Sequence, residues 1–198
     1  MRRIAGLIVV VAIACGGVAA RGAEVEQPTQ SLADKHGCKL WDQSFPPKAS
    51  ITWTGGCKDG FLEGKGTLRI FSDGKPTDRY DGTMRAGRYD GEGVYVWANG
   101  DRYKGGFKDG LFQGQAIYTK PKGTHYQGGY NHDLRSGHGV MTWPNGARYD
   151  GEWLENLANG RGTYRAPDGK SYSGTWTNGC YRDANQTISV GTTVDKCK

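Results

Sequence analysis

The sequence Tyr-Asp-Gly-Glu-Trp at residues 149–153, followed by Gly-Arg-Gly at residues 160–162, is the stretch that decides the fold. Tyr149, Gly151 and Trp153 occupy alternate positions of its first five residues. In a strand, alternate side chains lie on one face, so both rings share a face with glycine between them. Asn156 lies between the two segments and tolerates a positive φ, so a tight turn is expected there. The stretch predicts a β-hairpin with two aromatic rings on one face of its first strand.

The same hairpin pattern recurs along the chain with a period of 23 residues. Each leading aromatic residue is followed two positions later by glycine and four positions later by a bulky residue. The leading residues are Trp53, Tyr80, Tyr103, Tyr126, Tyr149 and Tyr172, and the first interval is lengthened by four residues around positions 72–78. Hairpins in succession, with no helix-period segment between them, predict an antiparallel meander in which each unit leans on its neighbours.

The predicted fold is all-β: an elongated, single-layer β-meander of about six hairpins, with 33 glycines and 22 aromatic residues in the chain. Glycines in line with the rings would allow the rings to close over the backbone, which explains how so glycine-rich a chain builds a core. Turn or bulge residues that tolerate positive φ are expected at one position of each unit. These positions are Gly60, Gly87, Gly110, Asp133, Asn156 and Gly179.

The first twenty residues differ from the rest, with a short basic start and an apolar run from Ile4 to Ala14. This pattern is typical of a secretory signal peptide with cleavage after Ala20. Lipidation of Cys15, as in a bacterial lipoprotein, is an alternative. The predicted organisation is a signal peptide at 1–20, a linker and cap at 21–52, a repeat domain at 53–179 and a second cap at 180–198. The caps are expected to cover the open edges of the sheet.

Removal of Arg2 and Arg3 with the signal leaves 24 basic and 20 acidic side chains from the original 26 and 20. This mild positive charge does not indicate nucleic-acid binding. Four cysteines remain, an even number that favours two disulfides in an oxidising compartment. Cys38–Cys57 and Cys180–Cys197 are the local pairings among the three possible connectivities. A zinc site is not expected because Cys-x-x-Cys spacing is absent, and no cofactor is expected either.

Tyr-x-Gly-x-Trp followed by Gly-x-Gly every 23 residues resembles the membrane occupation and recognition nexus (MORN) repeat over residues 53–179. The resemblance implies an elongated twisted β-meander that binds proteins and, in some members, acidic lipids. It also implies that the repeats carry no catalytic residues. The departures are Trp53 and Cys57 in the first unit, Ala116 at a glycine position, and a truncated sixth unit.

A basic residue precedes most of the leading tyrosines: Arg79, Arg102, His125 and Arg148. By strand alternation these side chains face away from the rings and lie about 10 Å apart. We interpret them as a surface for a protein partner or an acidic phospholipid surface, since each guanidinium offers a planar fork to phosphate or carboxylate. The alternative is that nearby aspartates neutralise them on a solvated face.

The aromatic face is a second candidate surface, because rows of rings are favoured for binding peptides or sugars. Its central residues are Tyr103, Phe107, Tyr126, Tyr130, Tyr149 and Trp153. They predict either the packed core or an open groove of a carbohydrate- or cell-wall-binding module. A small hydrolase with a site among His125, His132 and His138 is a third hypothesis. We expect no enzyme, because strand alternation points these histidines in different directions.

Overall fold

One long antiparallel sheet makes up most of the protein. The computed structural model describes residues 31–41, 45 and 48–197. Fourteen strands belong to this sheet, whose order follows the chain from β5 to β14, and two further strands form a small separate sheet. The strands are β1 (Ser31–Ala33), β2 (Lys39–Trp41), β3 (Ala49–Trp53), β4 (Gly56–Lys58), β5 (Phe61–Ser72), β6 (Lys75–Arg85), β7 (Arg88–Val96), β8 (Arg102–Lys108), β9 (Leu111–Thr119), β10 (His125–Asn131), β11 (Leu134–Thr142), β12 (Arg148–Leu154), β13 (Leu157–Arg165), β14 (Ser171–Trp176), β15 (Cys180–Arg182) and β16 (Thr187–Ser189).

The predicted meander is confirmed, and the only helix among the described residues is a 3-10 turn, Val194–Lys196. That helix is far too short to span a bilayer, and the described ranges contain no other candidate.

Two-residue turns join the strands of each hairpin. Both turn residues have positive φ, as in Asp59 (52°) with Gly60 (77°) and His132 (49°) with Asp133 (67°). These dihedral angles define a type I′ turn, whose twist matches that of the flanking strands. The second residues of the turns are the predicted ones: Gly60, Gly87, Gly110, Asp133, Asn156 and Gly179. The four-residue insertion is an extension of β5 and β6, closed by a further turn of this kind at Asp73 and Gly74.

Three leading tyrosines, Tyr80, Tyr126 and Tyr149, each lie over two glycines, one on the tyrosine's own strand and one on the neighbouring strand. A Cβ atom on Gly82 or Gly93 would lie closer than 3.0 Å to the Tyr80 ring, and Gly128 and Gly139 stand in the same relation to Tyr126. The hydroxyl of Tyr80 donates a hydrogen bond to the carbonyl of the residue three positions later, at 2.9 Å. Ring and glycines together replace the second layer that an ordinary sheet would need.

The tyrosines are linked into a continuous aromatic core by the bulky residue of each unit. The ring of Trp153 packs edge-to-face against Tyr149 of its own unit (5.1 Å) and against Tyr126 of the preceding unit (5.5 Å). Trp176 repeats the second contact with Tyr149 at 5.1 Å. Such pairs each contribute about 0.5–1.5 kcal/mol beyond the area they bury. The core therefore propagates from unit to unit along the sheet.

The units that depart from the repeat pattern show how the same packing is kept or changed. Trp53 lies over Gly55 and Gly66, and its indole nitrogen donates to the carbonyl of Gly56 at 2.9 Å, as a tyrosine hydroxyl would. In the third unit the methyl group of Ala116 lies against Gly105. There the Tyr103 ring stacks on Phe112 with a centroid distance of 3.8 Å.

The hairpin turns are joined to one another by backbone hydrogen bonds. In each case the N–H of the second turn residue donates to a carbonyl in the preceding hairpin. We call this row the turn ladder. Its bonds are Gly87 to Leu62 (2.9 Å), Gly110 to Tyr89 (2.9 Å), Asp133 to Phe112 (3.1 Å), Asn156 to Arg135 (3.2 Å) and Gly179 to Ala158 (2.8 Å).

The terminal segments are closed by the two predicted disulfides. Cys38 bonds to Cys57 and Cys180 to Cys197, with Cα–Cα distances of 5.8 and 5.6 Å. Each bond closes a loop of under twenty residues and contributes roughly 3 kcal/mol in the chain-entropy model. Both pairings are therefore confirmed, and they fit an oxidising environment outside the cytoplasm.

The terminal segments bind the repeats mainly at hairpin turns, and their covering of the open sheet edges stays a prediction. β2 also forms one parallel bridge with β5, between Lys39 and Phe61, and the N–H of Ala158 on β13 donates to the carbonyl of Val190 at 3.2 Å. Lys39 N–H donates to Gly60 and Trp41 N–H to Gly87, both at 2.8 Å, and Val190 N–H donates to Gly179 at 2.7 Å. The turn carbonyls attract these segments because they accept no bond within their own hairpins.

Gly139→Ala tests the glycine–tyrosine packing. The added methyl group would meet the Tyr126 ring, which cannot move because Tyr130 and Trp153 pack against it. We expect a loss of about 1–3 kcal/mol in the free energy of unfolding, the usual cost of overpacking. Chemical denaturation followed by tryptophan fluorescence measures it.

The matched control is His138→Ala, at the adjacent position of the same strand, where the side chain is 70% exposed. This change should stay within about 0.5 kcal/mol of the parent protein. Equal stability of the two variants would contradict the proposed role of the ring.

Alkaline pH provides a second test of the aromatic core. Burial raises the pKa of Tyr80 and of Tyr126 to about 12, from an unfolded value of 10.0. Below pH 10 these tyrosines keep their protons in both states. Above pH 10 only the unfolded chain ionises, so stability should fall as pH rises from 10 to 12. Absorbance at 295 nm should show these tyrosines ionising together with the loss of near-UV circular dichroism; gradual ionisation in an intact sheet would contradict this account.

Candidate functional site

A row of basic residues crosses the sheet on the face opposite the tyrosines. Arg79, Arg102, His125 and Arg148 lie on β6, β8, β10 and β12, and the cross-strand register connects them in one line through Val96, Thr119 and Thr142. Two strand spacings separate successive members, about 10 Å. The structure thus places these four predicted residues in a single transverse row, close to the loops that join one hairpin to the next.

The register adds two arginines to this row that the sequence did not single out. Arg69 is paired directly with Arg79 across β5 and β6, and Arg165 is paired directly with Arg148 across β12 and β13. We call the six residues the arginine row: Arg69, Arg79, Arg102, His125, Arg148 and Arg165. Arg69 and Arg165 occupy the repeat position that holds Val96, Thr119 and Thr142 in the other units. Because that position is not basic in most units, the repeat pattern did not identify the two arginines.

Aspartates neutralise two members of the row. Arg79 Nε lies 2.7 Å from Asp81 Oδ2, and Arg148 Nη2 lies 2.7 Å from Asp150 Oδ2. Partial burial would raise the pKa of Asp81, but hydrogen bonds from Arg79 and Thr67 outweigh it and hold that pKa below its usual value. The neutralised interpretation therefore holds for these two arginines.

The other three arginines of the row are exposed and make no ion pair with any carboxylate in the part of the chain that the structure describes. They are Arg69, Arg102 and Arg165. Arg165, Arg148, Thr163 and Ser171 line a shallow depression of about 320 Å³. A guanidinium beside hydroxyl groups in an open depression is suited to an anion.

The aromatic candidates form the core. Tyr103, Tyr126 and Tyr149 have exposures of 0–1%, and Phe107, Tyr130 and Trp153 are also buried. The structure brings all six together, packed against one another and against the glycines, and Phe107 also lines a cavity of about 410 Å³. This placement favours packing over glycan stacking for these residues.

The three histidines lie apart. His125 belongs to the arginine row, the ring of His132 is 2.7 Å from the Asn131 side chain in a hairpin turn, and His138 Nε2 lies 3.0 Å from Asp150. No group of metal-binding side chains is found among the described residues. His138 and Asp150 line a depression that also contains Thr163 and Ser173, whose hydroxyl groups hydrogen-bond to each other at 2.8 Å.

Comparison with known protein families gives one match. A family model described as MORN repeat matches four consecutive segments, at residues 80–102, 103–125, 126–148 and 149–171. The segments that begin at Trp53 and at Tyr172 lie outside the match, although Trp53 packs as the tyrosines do. No curated protein matches the chain.

Proposed function

Because the chain belongs to the MORN repeat family, whose repeats form binding scaffolds, we propose that it is an exported, non-catalytic scaffold that attaches to an acidic phospholipid surface through the arginine row. The observation that carries this proposal is the pairing of Arg69 with Arg79 and of Arg148 with Arg165. Like charges directly opposite each other destabilise a sheet. Each pair has a single aspartate bound to one member, so the second guanidinium remains available to an external anion.

The surroundings of the row support a polyanionic surface. Lys104 lies two residues after Arg102 on β8 and therefore on the same face, and Lys122 is exposed in the loop between β9 and β10. Clusters of four to eight basic residues favour acidic lipid headgroups, at about 1 kcal/mol for each residue near the surface. The row and these two lysines reach that number of charges along one margin of the sheet.

Export is part of the same proposal. The two disulfides fit an oxidising compartment such as the periplasm or the extracellular space. The predicted signal peptide at residues 1–20 and the alternative lipid anchor at Cys15 lie outside the described residues. In either case the repeats would meet the outer surface of a membrane rather than the cytoplasmic one.

Vesicle co-sedimentation of the oxidised protein tests the lipid proposal. We expect binding to vesicles that contain phosphatidylglycerol, weakening as salt screens the charges, and none to pure phosphatidylcholine. Arg102→Ala and Arg165→Ala should each weaken binding about fivefold, which corresponds to about 1 kcal/mol per cation. The matched control is Arg182→Ala, an exposed arginine on β15, away from the row.

Two outcomes would contradict the proposal. Equal loss with Arg182→Ala would show that net charge alone controls binding. Absence of binding to anionic vesicles at low salt would exclude the lipid surface, and an acidic segment of a protein would become the ligand to test on the same row.

A further inference from the structure

The N-terminal segment shows how an extended chain docks on the turn ladder. Alternate N–H groups of β2, those of Lys39 and Trp41, donate to the carbonyls of successive turns, Gly60 and Gly87. The Trp41 ring stacks on Phe61 with a centroid distance of 5.5 Å. The segment thus adds to the turns as a strand adds to the edge of a sheet, with the backbone supplying hydrogen bonds and a side chain supplying apolar contact.

The next two turns of the ladder offer the same acceptors. Among the described residues, the carbonyls of Gly110 and Asp133 receive no hydrogen bond, whereas those of Gly87 and Gly179 bind the terminal segments. Leu111, next to the first of these turns, is 36% exposed. The middle of the turn ladder therefore offers turn carbonyls beside an apolar side chain, as the turns that bind β2 do.

A cavity opens at this place. Its volume is about 410 Å³, and Trp41, Gly110 and Asp133 are among the residues that line it. Its walls are apolar and aromatic, contributed by Tyr89, Trp97, Leu111 and Phe112 among others. A cavity of this size and composition accepts a large apolar side chain and lies within the range of ligand pockets.

Charged residues of both signs line the cavity. Arg88 lies with its guanidinium 6.0 Å from the centroid of the Trp41 ring, and Asp109 is 62% exposed and lies 3.6 Å from Arg85. Asp133 Oδ1 accepts a hydrogen bond from the backbone of Phe112 at 2.7 Å, and Asp133 makes no ion pair with a described residue. Its carboxylate therefore complements a positive charge next to the apolar side chain.

We propose that an extended peptide segment of a partner protein docks on the turn ladder at Gly110 and Asp133. Its alternate N–H groups donate to the two carbonyls, a large apolar side chain fills the cavity, and a neighbouring basic side chain faces Asp133. This site is separate from the arginine row, which lies on the opposite face of the sheet, and does not depend on lipid binding.

The probe for this site is a fluorescein-labelled hexapeptide amide, Gly-Ser-Lys-Leu-Trp-Lys, which carries one copy of the sequence of β2. Fluorescence anisotropy with the oxidised full-length protein should show saturable binding. Leu111→Glu, inside the cavity, should weaken it roughly tenfold or more, as expected for a contact at the centre of an interface. The matched control is Leu154→Glu: Leu154 is 52% exposed and lies outside the cavity, so binding should be retained.

N-methylation of the probe separates backbone docking from apolar adhesion. Methyl groups on the amide nitrogens of the first lysine and the tryptophan should abolish binding, because these correspond to the N–H groups that Lys39 and Trp41 direct at the turns. Methyl groups on the amide nitrogens of the leucine and the second lysine should leave binding intact. Absence of saturable binding, equal loss in Leu154→Glu, or equal behaviour of the two methylated peptides would each overturn the proposal. Arg102→Ala should bind the peptide normally, so failure of the lipid test and failure of this one are distinguishable; near-UV circular dichroism checks that each variant is folded.

Discussion

The contact of a tyrosine ring with two glycines is the interaction on which the rest of this structure depends. A single-layer sheet has no second layer to cover its apolar face. Here the rings of Tyr80, Tyr126 and Tyr149 each cover glycines of two strands, and each hydroxyl donates to a carbonyl at the bulge three residues later. At these positions only glycine leaves the space that the ring occupies. The high glycine content is thus the condition for having a core at all.

This contact also explains why the repeats tolerate some changes and not others. Trp53 substitutes for tyrosine because its indole N–H reaches the carbonyl that a hydroxyl would reach. Ala116 is accommodated because the Tyr103 ring stacks on Phe112. In both units the ring stays buried: the first unit changes the aromatic residue itself, and the third changes one of its glycine partners. Because edge-to-face contacts link one unit to the next, the stability of each hairpin depends on its neighbours in the series of repeats.

The consequence of this construction is that most of the aromatic face is used for packing, and the two surfaces proposed for binding lie behind that face and at its margin. One is the face behind the tyrosines, where the register lines up the arginine row. The other is the turn ladder, where type I′ turns leave carbonyls pointing away from their own hairpins. The terminal segments already bind two parts of that ladder. The proposed lipid surface and the proposed peptide would therefore bind at separate places on the sheet.

The sequence by itself determined the strand period, the 23-residue repeat, the residues of the turns, the glycine–ring pairing and the two disulfides, because each depends on residues close together in the chain. It also located Arg79, Arg102, His125 and Arg148 in one column. Only the tertiary structure decided which residues stand beside them. Arg69 and Arg165 join the row through cross-strand register, and Trp41, outside the repeats, reaches the turn ladder through backbone bonds. These residues do not recur at the 23-residue interval, so the repeat pattern could not predict their contacts. The contacts form only when the chain folds and brings distant residues together.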